Sequence, residues 1–301
     1  FIEKPFDQER LINFVKRAVE NFNLKKQNRE YESKLFSSYE LIGNSKNIVN
    51  IIDQIKKISV TESRVFISGP SGSGKELIAR KIHKGSARSK NPFIVLNGAL
   101  LDINKYELEL FGEEKENGSI SYGALEKANK GTLLIDQVSE IPLDIQSKIL
   151  RVLTDQKFKR VNGANDVSVD VRLICSSSKD LKKEIEIGNF REDLFHRINV
   201  FEINIEPLNQ RISDIPLLIK YFSKKISENY KIKELDIDEN NSYILNHNWH
   251  GNVRELRNLI ERIAILQPDS KDKTSNIIKE SLKNTNFDDQ LAENSLSVPL
   301  K

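Results

Sequence analysis

The run Gly69-Pro70-Ser71-Gly72-Ser73-Gly74-Lys75 restricts this chain more than any other stretch of it. It follows an apolar segment, Val65-Phe66-Ile67-Ser68, and leads into a segment with helical spacing. Glycines let the chain turn where side chains would clash, so backbone N–H groups can wrap an anion at a helix N-terminus. A lysine after the last glycine adds a charge that reaches the terminal phosphates of a nucleotide. A glycine-rich turn alone would mean little. The strand before it, the helix after it and the lysine at this spacing make the pattern specific for a phosphate loop. Gly69, Pro70, Ser71, Gly72, Ser73, Gly74, Lys75 and Glu76 are therefore the expected phosphate-side residues, with ATP as the cofactor. Glu76 departs from the general pattern, since it stands where Ser or Thr usually offers magnesium a hydroxyl.

The rest of the chain supplies a sheet for that loop. Phe93–Leu96, Thr132–Ile135, Ser168–Cys175 and Phe201–Ile205 read as further short buried strands, separated by helical patterns. Strands alternating with helices predict a parallel sheet covered on both faces, an α/β fold. Before the loop, Ile48, Ile51, Ile52, Ile55 and Ile58 predict one face of a helix over 46–59. After Pro207 the pattern is helical throughout, at about 212–229, 238–247 and 251–265, which predicts a small α-helical subdomain. From Pro268 onward the composition is polar and reads as a flexible tail. Asp136 closes the Thr132–Ile135 strand, and a carboxylate is needed beside the loop to hold Mg2+. Gln137 follows it. An amide can orient a water but cannot take its proton.

Composition excludes some classes and leaves others open. The longest apolar runs fall far short of the roughly 18 residues of a membrane span, so no membrane contact is expected. Cys175 is the only cysteine, which fits a reducing cytoplasm, and it reads as a small core residue. A net charge of +3 gives no separate argument for nucleic acid. The four histidines, His83, His196, His247 and His250, suggest no metal site.

With these residues in hand, a family resemblance becomes specific. Gly69 to Glu76, with Glu after the Lys, looks like the phosphate loop of sigma-54-dependent transcriptional activators. Leu41-Ile42-Gly43, Asn91 to Leu100, Glu109-Leu110-Phe111-Gly112, Gln146 to Leu153, Phe190 to Val200 and Trp249 to Asn258 are similar to further segments of that family, in order, across about 39–265. The resemblance implies an AAA+ P-loop domain, three-layered αβα with a parallel sheet, plus a helical lid. It implies that Ile42 and Gly43 contact adenine and that Asn97 couples the γ-phosphate to catalysis. Ser178 stands where a sensor residue reads that phosphate. Arg191 and Arg197 resemble arginine fingers, and Arg254 the lid arginine. A lone arginine on a helix is ordinarily a solvated surface residue; the joint match is what singles these out. Fingers acting in trans imply self-assembly, a ring or another homo-oligomer.

The ends extend the resemblance. Phe1-Ile2-Glu3-Lys4-Pro5-Phe6 is similar to the last strand of a receiver domain, so residues 1–36 are expected to be its end and a linker helix. Residues 37–208 would be the nucleotide-binding subdomain, 209–268 the lid, and 269–301 a flexible linker toward a helix-turn-helix. The chain has no methionine and reads as a piece of a longer response regulator. A sensor histidine kinase would then be its partner through the receiver, and DNA through the C-terminal domain. Two departures bear on activity. The Gly-Ala-Phe-Thr-Gly-Ala loop of polymerase-remodelling members is missing after Gly112, as in the NtrX-type branch, and Gln137 stands where hydrolysing relatives carry Glu. The expectation is thus a regulator that assembles on phosphorylation and nucleotide, without sigma-54 RNA polymerase as a partner and with weak or absent hydrolysis. The alternative is an active ATPase motor that remodels sigma-54 polymerase.

Overall fold

A computed structural model describes residues 40–100, 105–233 and 235–282. It divides into a unit Phe1–Leu41 and a unit Ile42–Lys301, and the second holds nearly all the described residues. The receiver-like reading of 1–36 lies outside them.

The second unit opens with α1 (Lys46–Ser59), capped by the Ser45 side chain. Its predicted isoleucine face is real: Ile48, Ile51 and Ile58 are buried, Ile52 and Ile55 half-buried. Then come β1 (Val65–Ser68), α2 (Lys75–Lys84) and β2 (Phe93–Asn97). A short helix α3 (Tyr106–Phe111) leads to the hairpin β3 (Gly112–Glu114) and β4 (Ile120–Tyr122), followed by α4 (Ala124–Lys127), β5 (Thr132–Asp136) and α5 (Leu143–Asp155). A second hairpin, β6 (Lys157–Lys159) and β7 (Asp166–Ser168), precedes β8 (Arg172–Ser177), α6 (Leu181–Glu186), α7 (Glu192–Ile198) and β9 (Phe201–Asn204).

Strands β1, β2, β5, β8 and β9 form one five-stranded sheet in the order β2-β5-β8-β1-β9, parallel throughout. Val65, Phe66 and Ile67, and Leu133, Leu134 and Ile135, are buried because helices cover both faces. The expected α/β architecture is therefore present.

The fourth strand departs from its expected range of 168–175: it runs from Arg172 to Ser177. Ser168 belongs instead to the β6–β7 hairpin. Between them, Arg88 grips the Asp170 carboxylate at 2.7 Å and the Asp170 carbonyl at 3.1 Å, drawing that residue out of the sheet. Arg172 is buried and donates to the carbonyls of Ile58, Ser59 and Ser63, closing the end of α1.

The lid follows as α8 (Ile215–Tyr230), α9 (Ser242–Leu245) and α10 (Asn252–Leu266). The helix expected over 238–247 shrinks to α9, beginning where the Asn241 side chain caps it. Trp249 is buried in the lid core and donates its indole N–H to the Ile244 carbonyl at 3.0 Å. The expectation of a flexible tail from 269 needs correction. Residues 271–282 form a further helix, α11, whose Ile278 and Leu282 are buried in the lid core with Leu259 and Ile263. Its polar composition hides an apolar pair four residues apart, which is enough for one helical face. Residues 283–301 lie outside the described residues.

Candidate nucleotide-binding site

The phosphate loop links the C-terminal end of β1 to α2, with β1 flanked by β8 and β9. Gly69, Gly72 and Gly74 all have positive φ, at 146°, 73° and 111°. Gly72 is doubly constrained: a Cβ there would lie 2.2 Å from the Gly251 carbonyl oxygen, so the lid comes within backbone contact of the loop. Lys75 is buried and its ammonium donates to the carbonyls of Gly69 and Pro70 at 2.8 and 3.0 Å. Burial lowers its pKa to about 8, with Asp136 opposing that shift and Arg254 adding to it. Ser73 donates its hydroxyl to the Pro70 carbonyl at 2.7 Å, bracing the loop from inside. Glu76 pairs with Arg80 one helical turn on, at 2.7 Å.

The lid closes over the loop through several groups. Arg254 reaches the Ser71 hydroxyl at 3.3 Å, and its backbone N–H the Gly72 carbonyl at 3.3 Å. Asn252 donates to the Ser71 carbonyl at 3.0 Å and accepts from the Leu208 N–H at 2.8 Å. Arg211 donates to the Ser73 carbonyl at 3.1 Å. Arg211 carried no signal in the sequence reading. It lies between two 3-10 turns, Leu208–Gln210 and Ile212–Asp214, and only the packed lid reveals its burial. The segment after Ile42 is held by Asp214, whose carboxylate accepts from the N–H groups of Asn44 and Ser45 at 2.7 and 2.8 Å. Ile42 packs against the lid core.

Asp136 ends β5, with β8 lying between it and the loop strand. Ser176, on β8, donates its hydroxyl to one Asp136 oxygen, and Asn97 reaches the other at 3.5 Å. Ser176 also went unnoticed in the sequence, because the strand seemed to end a residue earlier. Gln137 adopts the left-handed region, φ 58° and ψ 54°. Its side-chain oxygen accepts from both the backbone N–H of Ser178, at 3.1 Å, and the Ser178 hydroxyl, at 2.8 Å. A backbone N–H can only donate, so the amide oxygen is fixed toward Ser178 and the NH2 faces the other way. Glu140 is engaged by Lys179 at 2.9 Å.

The donor set suits magnesium held by one carboxylate. Mg2+ keeps several waters and takes phosphate oxygens, needing few protein ligands, and among the described residues no group of three His, Cys, Asp or Glu gathers as a metal cage. The Asp136 oxygen facing Asn97 fits that role, while Glu76 is tied to Arg80. Cys175 is buried in the sheet core and its thiol is pushed up by desolvation, as a core residue requires. His83, also buried, bonds the Thr132 hydroxyl at 2.9 Å.

Arg191 and Arg197 lie elsewhere, on the exposed face of α5 and α7. Arg191 pairs with Asp193 at 2.7 Å and donates to Ser147 at 3.1 Å; Arg197 donates to the Leu153 carbonyl at 3.3 Å.

Known proteins resemble this chain in sequence and in fold. The sigma-54 interaction domain model matches residues 41–204, and the AAA+ ATPase lid domain model matches 209–294. The nitrogen assimilation regulatory protein NtrX of Azorhizobium caulinodans is 42% identical over 268 residues, covering 88% of this chain and 59% of that protein. The regulatory protein AtoC of Escherichia coli is 40% identical, covering 88% of this chain and 59% of its own length. The crystal structure of NtrX from Brucella abortus in complex with ATP superposes with a TM-score of 0.78 at 41% identity, over 95% of this chain and 63% of that one. The complex of the same protein with ADP gives 0.77 at 43%, over 90% and 62%. The chain thus spans less than two thirds of the length of these relatives. No helix among the described residues is long and apolar enough to cross a membrane. Given the extent of the match and the loop, sheet and lid that underlie it, the chain belongs to the sigma-54 interaction domain family of AAA+ proteins.

Proposed function

We propose that this chain is the ATP-binding module of a bacterial two-component transcription regulator, holding nucleotide in order to assemble rather than to drive a motor. The observation that carries the reading is the convergence of a glycine-built loop, the Lys75 ammonium and the lid residue Arg254 on one cleft. The similarity to NtrX crystallised with ATP and with ADP supports it. In this reading the loop N–H groups and Lys75 grip the β- and γ-phosphates, Ile42 and Gly43 face the adenine, and Arg254 senses the nucleotide from the lid. Asp136 holds Mg2+, whose charge offsets that of the phosphates. Asn97, beside Asp136, and Ser178, bonded to Gln137, line the γ-phosphate side.

Hydrolysis is slow for a chemical reason. The Gln137 oxygen is occupied by two Ser178 donors, leaving an NH2 that can donate to a water but not accept its proton. Glu140 does not substitute, being paired with Lys179. Arg191 and Arg197, exposed on the α5–α7 face, enter a neighbouring subunit's nucleotide in a homo-oligomer. A guanidinium suits this, being planar and permanently charged. Sigma-54 polymerase is not a partner: the β3–β4 hairpin carries Lys115 to Ser119 at its tip, without the Phe-Thr pair by which other members engage sigma-54. In the longer protein a receiver domain couples assembly to a histidine kinase and a C-terminal domain binds DNA.

The test combines calorimetry of Mg-ATP and ADP binding with phosphate release from the assembled protein. Binding of both with negligible turnover is expected. Failure to bind either refutes the reading, and turnover together with a nucleotide-dependent complex with sigma-54 would establish the motor instead.

A further inference from the structure

We propose that Asp214 is a positioning residue for the nucleotide, and that its pair with Arg211 sets the purine side of the cleft against the phosphate side. The inference rests on the nucleotide reading above and goes beyond it, since it assigns a role to two lid residues that the reading leaves without one.

Asp214 is fully buried. One carboxylate oxygen accepts from the backbone N–H groups of Asn44 and Ser45, and the other accepts the Ser45 hydroxyl at 2.8 Å. Three hydrogen bonds thus fix the two residues that follow Gly43. Gly43 itself has φ +153°, and a Cβ on it would come 2.7 Å from the Asp214 carboxylate carbon. The carboxylate and the segment are therefore in backbone contact, with no slack for a side chain. Ser45 also caps α1, accepting from the Ile48 N–H at 3.3 Å.

Arg211 lies three residues before Asp214 and is 3% exposed. One guanidinium nitrogen stands 3.8 Å from Asp214, another donates to the Ser73 carbonyl inside the phosphate loop, and the Nε–H has no hydrogen-bond partner. Burial pulls the Arg211 pKa down, with Asp214 opposing the shift. A buried ion pair is a weak source of stability, often no better than apolar residues of the same size. This one even leaves a donor unsatisfied. What it does achieve is mechanical. A single turn of the lid holds the loop carbonyl at Ser73 with one residue and the backbone after Gly43 with the other. The spacing between the groups that grip phosphate and those that face the purine is then fixed through the lid.

The consequence is a split between ligands. Inorganic tripolyphosphate needs only the loop, whereas ATP needs both sides at the right separation. In calorimetry on the full chain with magnesium present, Asp214→Asn is expected to weaken ATP by about tenfold, or about 1.4 kcal/mol. Ser45→Ala, which removes the hydroxyl's bonds to Asp214 and to the Ile48 N–H without touching charge, should weaken ATP in the same direction by a smaller factor. Tripolyphosphate affinity should stay within about twofold of wild type in both. If Asp214→Asn does not fold, as near-ultraviolet circular dichroism would reveal, Ser45→Ala decides alone. Unchanged ATP affinity in the folded variants overturns the proposal, and so does a parallel loss for ATP and tripolyphosphate. A wild type that binds neither ligand refutes the nucleotide reading itself, which keeps the two failures apart.

Discussion

The phosphate loop and the Asp136 strand end face the same cleft, yet they are built differently. At Gly69–Lys75 the features a nucleotide needs are present in one stretch: positive-φ glycines, a helix N-terminus and a buried ammonium. At Asp136, Gln137 and Ser178 the contributions come from the ends of two strands, and the side chain at 137 is an amide, which cannot take a proton from water. In the proposed reading, holding a nucleotide draws mainly on the first region and cleaving it on the second, so the contrast makes separate loss of the two activities a testable idea.

The largest effect should come from repairing the second region. Gln137→Glu restores a group able to accept a proton, and general-base assistance is worth about 10²–10⁴ in rate. Steady-state phosphate release from the assembled variant should rise by that order while ATP affinity changes little. A wild type that already turns over as fast as the variant would erase the distinction between the regions.

Breaking the first region should cost affinity. Lys75→Ala removes the charge facing the phosphates, and hydrogen bonds to charged groups are worth roughly 1.5–3 kcal/mol, or about 10–100-fold. Equal calorimetric affinities for wild type and variant would sink the loop assignment.

A smaller effect sharpens the same point through pH. The Lys75 pKa is lowered to about 8, chiefly by burial. Its charged fraction in the free protein therefore falls as pH rises through that value, whereas bound phosphate favours the charged form. Binding should take up a proton at pH 8.5, visible in two buffers of different ionisation enthalpy. Affinity should drop by just under about tenfold between pH 7.5 and 9, and the dependence should vanish in Lys75→Ala. A flat profile in wild type would show that Lys75 does not hold the phosphates.

The smallest effects concern neither region within one subunit. Alanine at Arg191 or Arg197 should leave the intrinsic affinity nearly unchanged, because both are exposed and bonded to their own face, yet reduce the ATP-induced increase in mass by light scattering. Full retention of that increase in both variants would remove the fingers from the assembly.

Much of this was readable from residue order alone, for local reasons. The loop is a contiguous run whose glycines are demanded by backbone dihedrals, and β1 and β5 are unbroken apolar stretches because a parallel sheet is covered on both faces. Asp136 announces itself by ending a strand. By contrast, β8 was misplaced by a few residues because Val169 and Val171 look like strand while Arg88 holds Asp170 aside. The helix over 271–282 was missed because only Ile278 and Leu282, seated among lid residues distant in sequence, make its polar composition compatible with a core.

The sequence by itself determined the phosphate loop, the strand that leads to it, the carboxylate at Asp136 and the amide at Gln137. Each depends on the chemistry of one short segment. Only the tertiary structure decided that Ser176 holds Asp136, that the Gln137 oxygen is committed to Ser178, and that Arg211, Asp214 and Asn252 tie the lid to the phosphate loop and to the backbone after Gly43. These links span from about 40 to more than 180 positions of chain. A side chain's partner across such a distance is fixed by packing and burial, which no local pattern encodes.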